Sequence, residues 1–208
     1  MSFELWIAFV LASAALLAIP GPTVMLVVSY ALGRGKSSGW STVPGVALGD
    51  FTAMTASLAG AGAILAASAT LFTVLKFAGA AYLIWLGVRL WRAKPHPQSF
   101  EGKAFEKSHR SMFVNAWVVT ALNPKSIAFF VAFVPQFIEP AAPVFTQFVI
   151  LEATFLVLAA ANVALWVLLV GRLRERFKRP ETLGLVNRVG GSFLIGAGVL
   201  TAALRRAT

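Results

Sequence analysis

Two ionisable side chains stand inside apolar runs of this sequence: Asp50 in GVALGDFTAM and Lys125 in ALNPKSIAFF. At helical spacing, three and four positions away, Asp50 has only Val46, Ala47, Ala53 and Met54. Lys125 is flanked in the same way by Ala121 and Phe129. Neither charge has a local partner, so each must reach another element, face water or give up its charge. The backbone beside them is interrupted as well. Pro124 follows Asn123, and AIPGPTVMLV carries Pro20, Gly21 and Pro22. A proline lacks the N–H that would serve the carbonyl four residues back. Pro124 therefore frees the carbonyl of Thr120, and Pro20 and Pro22 free those of Leu16 and Ala18. Two prolines around a glycine read as a local break with open backbone, tolerated in lipid only where protein or a cavity covers it.

The chemistry these groups suit is the binding of a molecule with both an ammonium and a carboxylate. Asp50 and the freed carbonyls match an ammonium, while restarted helix N-termini and Lys125 match a carboxylate. Buried in a low dielectric, Asp50 is also a candidate to carry a proton, which would couple inward proton flow to outward substrate movement. The plain alternative is an Asp50–Lys125 ion pair that only joins two helices. The sequence leaves open whether the two charges meet directly.

Other polar positions are secondary candidates. Glu152 either reaches the outer interface or titrates, and Asn162 either lines a cavity or bonds a neighbouring helix. Lys76 lies near a span end and can snorkel. Gly45, Gly49, Ala53 and Ser57 recur every four residues, a small-residue stripe that lets another helix come close. Asp50 stands beside that stripe and so points toward a bundle interior. His96 and His109 fall in a basic stretch and suggest no catalysis, and nothing calls for a metal or cofactor.

The elements that must position these residues are apolar and long. Of 208 residues 58% are hydrophobic and 12% charged, against about a quarter charged in soluble domains. Mean hydropathy is +0.79. Six apolar runs, at 5–32, 43–69, 71–90, 111–138, 145–170 and 183–204, each reach the roughly 18 residues that read as membrane-spanning. The fold class expected is therefore all-α, a polytopic membrane protein with six transmembrane helices. Cysteine is absent, which excludes disulfides and thiol chemistry.

Six spans give alternating sides. Most Lys and Arg fall in the loops at 33–42, 91–110 and 171–182, all on one side, which the positive-inside rule makes cytoplasmic with both termini outside. Arg205 and Arg206 run against that bias. The net charge of +10 belongs to these loops rather than to a nucleic-acid surface. MSFELWIAFV has no basic residue before its apolar run, so the first run is expected to stay rather than be cleaved.

A single transmembrane domain over 1–208 is expected, with halves at 1–92 and 111–208 around a basic cytoplasmic loop at 93–110. Three spans per half makes the halves inverted, and each opens on an interrupted segment, the arrangement that points to a transporter's binding site. At about 1.5 Å per residue, Pro22, Asp50 and Pro124 lie roughly 14–20 Å from the cytoplasmic ends of their spans, near mid-bilayer.

Five motifs in order now carry a likeness. PGPTVMLV, GVALGD, LKFAGAAYLIWLGVRL, ALNPKSIAFFVAFVPQFI and GRLRERF before a glycine-rich last span resemble those of the LysE/RhtB family of bacterial amino-acid exporters, over nearly the whole chain. The resemblance implies a transporter and not an enzyme, in the bacterial inner membrane, exporting amino acids or related small zwitterions with protons as the coupling partner. It carries function over to Pro20, Gly21, Pro22, Gly49, Asp50, Asn123, Pro124 and Lys125. Which amino acid moves, and whether the chain forms a homodimer, stay open. A cation or heavy-metal exporter of related architecture is the competing reading; missing cysteine and few membrane carboxylates count against soft metals. A membrane-embedded enzyme lacks a histidine–carboxylate cluster, and a passive channel would show itself by insensitivity to an uncoupler.

Overall fold

The computed structural model describes residues 1–93, 108–139, 142–177 and 180–203. His96, Arg205, Arg206 and the basic stretch at 94–107 lie outside the described residues. Among the described residues all regular structure is helical: α1 (Phe3–Ala18), α2 (Pro22–Arg34), α3 (Lys36–Trp40), α4 (Val43–Ala67), α5 (Ala69–Arg92), α6 (His109–Ala121), α7 (Pro124–Ala132), a 3-10 turn at Val134–Phe137, α8 (Val144–Phe177) and α9 (Pro180–Ala203).

The prolines act where their missing N–H requires. The first expected run is two helices, α1 and α2, bent by 55° at Ile19 to Gly21, and the fourth is α6 and α7, bent by 44° at Leu122 and Asn123. Each restart places proline in its first turn, where no N–H is needed. Asn123 caps α7, its side chain accepting from the Lys125 N–H at 3.1 Å. The Thr120 carbonyl, freed by Pro124, is taken up by the Asn123 N–H at 3.1 Å.

Long apolar segments within α5 (Thr73–Arg92, mean hydropathy 1.3) and α8 (Val144–Leu169, 2.2) are each sufficient to cross a bilayer, as is each bent pair. With 25 and 24 residues, α4 and α9 are also long enough at roughly 36 Å. They carry more glycine and hydroxyl residues than α8 does. Large apolar side chains such as Phe145 (78% exposed), Leu122 (70%) and Val157 (68%) face outward, a surface suited to lipid rather than water.

Three boundaries differ from expectation. The stretch at 33–42 contains α3, reached through Gly35 at φ 86°, a conformation glycine adopts without strain. The stretch at 171–177 continues α8 instead of forming a loop, because Leu, Arg and Glu propagate helix readily. The break between the runs at 43–69 and 71–90 falls at Ser68, which ends α4 and caps α5 by accepting from the Leu71 N–H at 3.2 Å.

Packing follows the small residues. A Cβ at Gly45 would overlap the Phe113 carbonyl, and one at Gly49 would lie 2.6 Å from Thr120 Cβ, so α4 lies directly on the backbone of α6. Gly87 and Gly191 do the same for α5 and α9, each facing the other's carbonyl. Without a solvent-driven hydrophobic term between helices, such close contact is what holds a membrane bundle together. An aromatic cluster fixes α7: Phe130 meets Phe155 of α8 edge-on at 4.8 Å, and Phe137 meets Phe9 of α1 at 5.4 Å. Each such pair contributes about 0.5–1.5 kcal/mol beyond its area.

Two outcomes follow, both read by thermal unfolding in detergent. Gly45→Val drives a branched side chain into the α6 backbone and is expected to destabilise by about 1–3 kcal/mol, whereas Gly60→Ala, with nothing within 4 Å of its Cβ, is expected to be tolerated. Equal stability of the two variants would contradict this packing. Asn123→Ala is expected to cost about 1 kcal/mol, and Asn123→Asp is expected to fare no better, because it keeps the capping oxygen but loses the Nδ2 donor to Thr23 and buries a charge.

Candidate functional site

The two breaks meet. A cavity of about 30 Å³ lies between the bent pairs, α4 and α8, and its lining includes Gly21, Asp50, Asn123, Lys125, Ser126 and Asn162. It has room for water, against roughly 300–1,000 Å³ for a pocket enclosing a drug-sized ligand. Leu16, Leu17, Val24, Val46, Ala159 and Val163 form the apolar part of its wall.

Lys125 reaches the open end of α1. Its Nζ donates to the Leu16 carbonyl at 3.1 Å and to the Ile19 carbonyl at 2.9 Å. Leu16 is the acceptor that Pro20 leaves without its usual donor, and Ile19 is in extended backbone beyond the helix. A cation at a helix C-terminus also meets the negative end of the helix dipole. Gly21 makes room for this, since a Cβ there would stand 3.4 Å from both Cε and Nζ of Lys125.

Asp50 is 3% exposed, yet among the described residues it accepts no hydrogen bond and forms no ion pair within 4.0 Å. The direct Asp50–Lys125 bridge weighed from the sequence is therefore not made. The ammonium instead serves two backbone carbonyls at the end of α1. Ser126 and Asn162 likewise line the cavity with side chains that make no hydrogen bond among the described residues.

A polar junction beside the cavity, with Thr23 and Asn123 in its wall, braces the breaks. Thr23, at the start of α2, accepts from Thr120 Oγ1 at 3.2 Å and from Asn123 Nδ2 at 3.3 Å. All three residues are buried. Asn115 adds a bond to the Tyr30 hydroxyl at 2.8 Å, joining α6 to α2.

The expected residues thus separate into groups. Asp50, Gly21, Asn123, Lys125 and Asn162 share the cavity. Pro20, Pro22 and Pro124 shape the two breaks from outside its wall, and Gly49 sets the α4–α6 approach one residue before Asp50. Glu152 is not part of the wall. It accepts from Thr55 Oγ1 at 2.6 Å, between α8 and α4. Thr23, Thr120 and Ser126 were missed as candidates; their nearness to the breaks in sequence, one to four residues from a proline, was the available signal.

Residues 14–204 match the family model described as LysE type translocator. The chain is 32% identical over 207 residues to a protein of Salmonella typhimurium named homoserine/homoserine lactone efflux protein, covering 100% of both chains. It is 31% identical over 202 residues to a Vibrio cholerae protein named uncharacterized membrane protein, covering 97% of this chain and 98% of that one. No solved structure matches at a significant level. With its apolar helices, its two proline breaks and a match spanning nearly its full length, this chain belongs to the LysE-type translocator family of membrane transporters.

Proposed function

We propose that the protein is a secondary transporter that exports amino acids or closely related small zwitterions from the bacterial cytoplasm in exchange for protons. Its substrate binds where the two helix breaks converge. The observation that carries this reading is Asp50, buried beside the cavity and left without a hydrogen-bond donor. A buried carboxylate without a partner is costly, and either a substrate ammonium or a proton relieves that cost. The two cannot occupy it together, so their alternation on one group supplies the exchange.

The roles divide by chemistry. Asp50 takes the amine and the proton in turn, while Ser126 and Asn162 offer neutral hydrogen-bonding groups to the rest of the molecule. Asn123 and Thr23 hold the restarted ends of α7 and α2. The prolines and Gly21 keep those ends open. A water-sized cavity must widen to admit an amino acid, and the breaks at Ile19–Gly21 and Leu122–Asn123 are the points where α1–α2 and α6–α7 can flex. The name of the Salmonella relative makes homoserine the first substrate to try.

The proposed arrangement in the membrane is six spans in two inverted halves, α1 to α5 and α6 to α9, with basic loops cytoplasmic and termini outside. Pairing of elements supports it: α8 packs along α1 and α2 as α4 packs along α6 and α7, and α5 lies along α9.

Cells producing the protein are expected to release a particular amino acid into the medium, homoserine first among those assayed, by untargeted measurement of medium metabolites. Removing one partner of a buried ionic contact costs about 3–5 kcal/mol, so Asp50→Asn is expected to cut that release about a hundredfold or more while still inserting in the membrane. Full release by an inserted Asp50→Asn protein would remove Asp50 from the mechanism. Release unaffected by an uncoupler would point to a passive pore.

A further inference from the structure

Resting on the export reading, we propose that Lys125 is a positioning residue and that the exported molecule is recognised through its amine at Asp50, with no carboxylate-binding role for Lys125. The two intramembrane charges look equivalent in the sequence, but the structure treats them differently. The Lys125 ammonium already has two acceptors, the Leu16 and Ile19 carbonyls at 3.1 and 2.9 Å. Both carbonyls lie at the broken end of α1, where the Leu16 carbonyl keeps only the long cap bond from the Ile19 N–H at 3.3 Å and the Ile19 carbonyl has no backbone donor among the described residues. Moving the ammonium onto a substrate carboxylate would orphan the Ile19 carbonyl in a low-dielectric interior and leave the Leu16 carbonyl with only the Ile19 N–H at 3.3 Å. Asp50 has no such engagement and is nine-tenths buried against the same cavity. The remaining unpartnered wall groups, the Ser126 hydroxyl and the Asn162 amide, are neutral.

Lys125 also couples the two breaks mechanically. It is the second residue of α7 and its side chain ends on α1, so the restart of one broken pair is tied to the interruption of the other. The cavity therefore selects a small primary amine with a short hydrogen-bonding chain. Neutralising the carboxyl group of the substrate leaves its main contact intact, while removing the amine abolishes it.

The test measures binding by calorimetry to the purified full-length protein in detergent at mildly acidic pH, with three probes of one carbon skeleton. These are L-homoserine, L-homoserine amide and 4-hydroxybutanoate. The expected result is that homoserine and its amide bind within about threefold of each other and that 4-hydroxybutanoate does not bind. Lys125→Met is expected to weaken both amines by the same factor, about tenfold or more, and Lys125→Arg to restore both, because a guanidinium can also donate to two carbonyls. Binding of homoserine but not of its amide to the wild-type protein overturns the inference alone. So does a Lys125→Met protein that loses homoserine and keeps the amide. Failure of all three probes to bind overturns this inference together with homoserine-type export.

Discussion

A membrane helix cannot be cut without something to satisfy the backbone it exposes, and in this protein that something is the Lys125 ammonium. Two carbonyls at the end of α1 receive it. The consequence reaches beyond local stability. An ammonium held on backbone oxygens makes no direct bridge to Asp50, and the carboxylate lines the cavity with no hydrogen-bond donor among the described residues. An ion pair between the two would have given a quiet helix bridge. Drawing the cation aside leaves the carboxylate open to the amine and proton we propose for it.

The surrounding packing keeps that division in place. Gly45 and Gly49 bring α4 onto the backbone of α6, which fixes the depth and direction of Asp50. The Thr23–Thr120–Asn123 junction ties the start of α2 to the second break, and the phenylalanine cluster holds α7 against α8 and the 3-10 turn against α1. Between those anchors the cavity is closed to water size, so binding must move helices rather than only side chains. The two interruptions are where movement costs least, since the i to i−4 ladder is already broken there.

Much of this was legible in the sequence because proline chemistry is local. Pro20, Pro22 and Pro124 announce the breaks within a residue or two, and Asn123 is readable as a cap from its place before proline. The stripe from Gly45 to Ser57 announced a close helix contact but not its partner, because spacing along one helix says nothing about which neighbour lies against it. The direction of the Lys125 side chain was illegible for the same reason: its acceptors are more than a hundred residues away and are backbone atoms, which leave no side-chain signature. Glu152 and Asn162 were both secondary candidates by residue type. Ten residues apart on α8, they differ by about 15 Å in depth as well as in facing, which puts Asn162 on the cavity and Glu152 against Thr55. The helical continuation at 171–177 was hidden by its charges, which read as loop in a membrane protein although they favour helix.

The measurement closest to the central claim is the number of protons released when homoserine binds, obtained by titrating the purified protein calorimetrically in buffers of different ionisation enthalpy over a range of pH. If amine and proton compete for the Asp50 carboxylate, binding releases protons, up to one per site as the pH is lowered, and Asp50→Asn abolishes the release. Tight binding with no proton release at any pH in the wild-type protein would contradict the account.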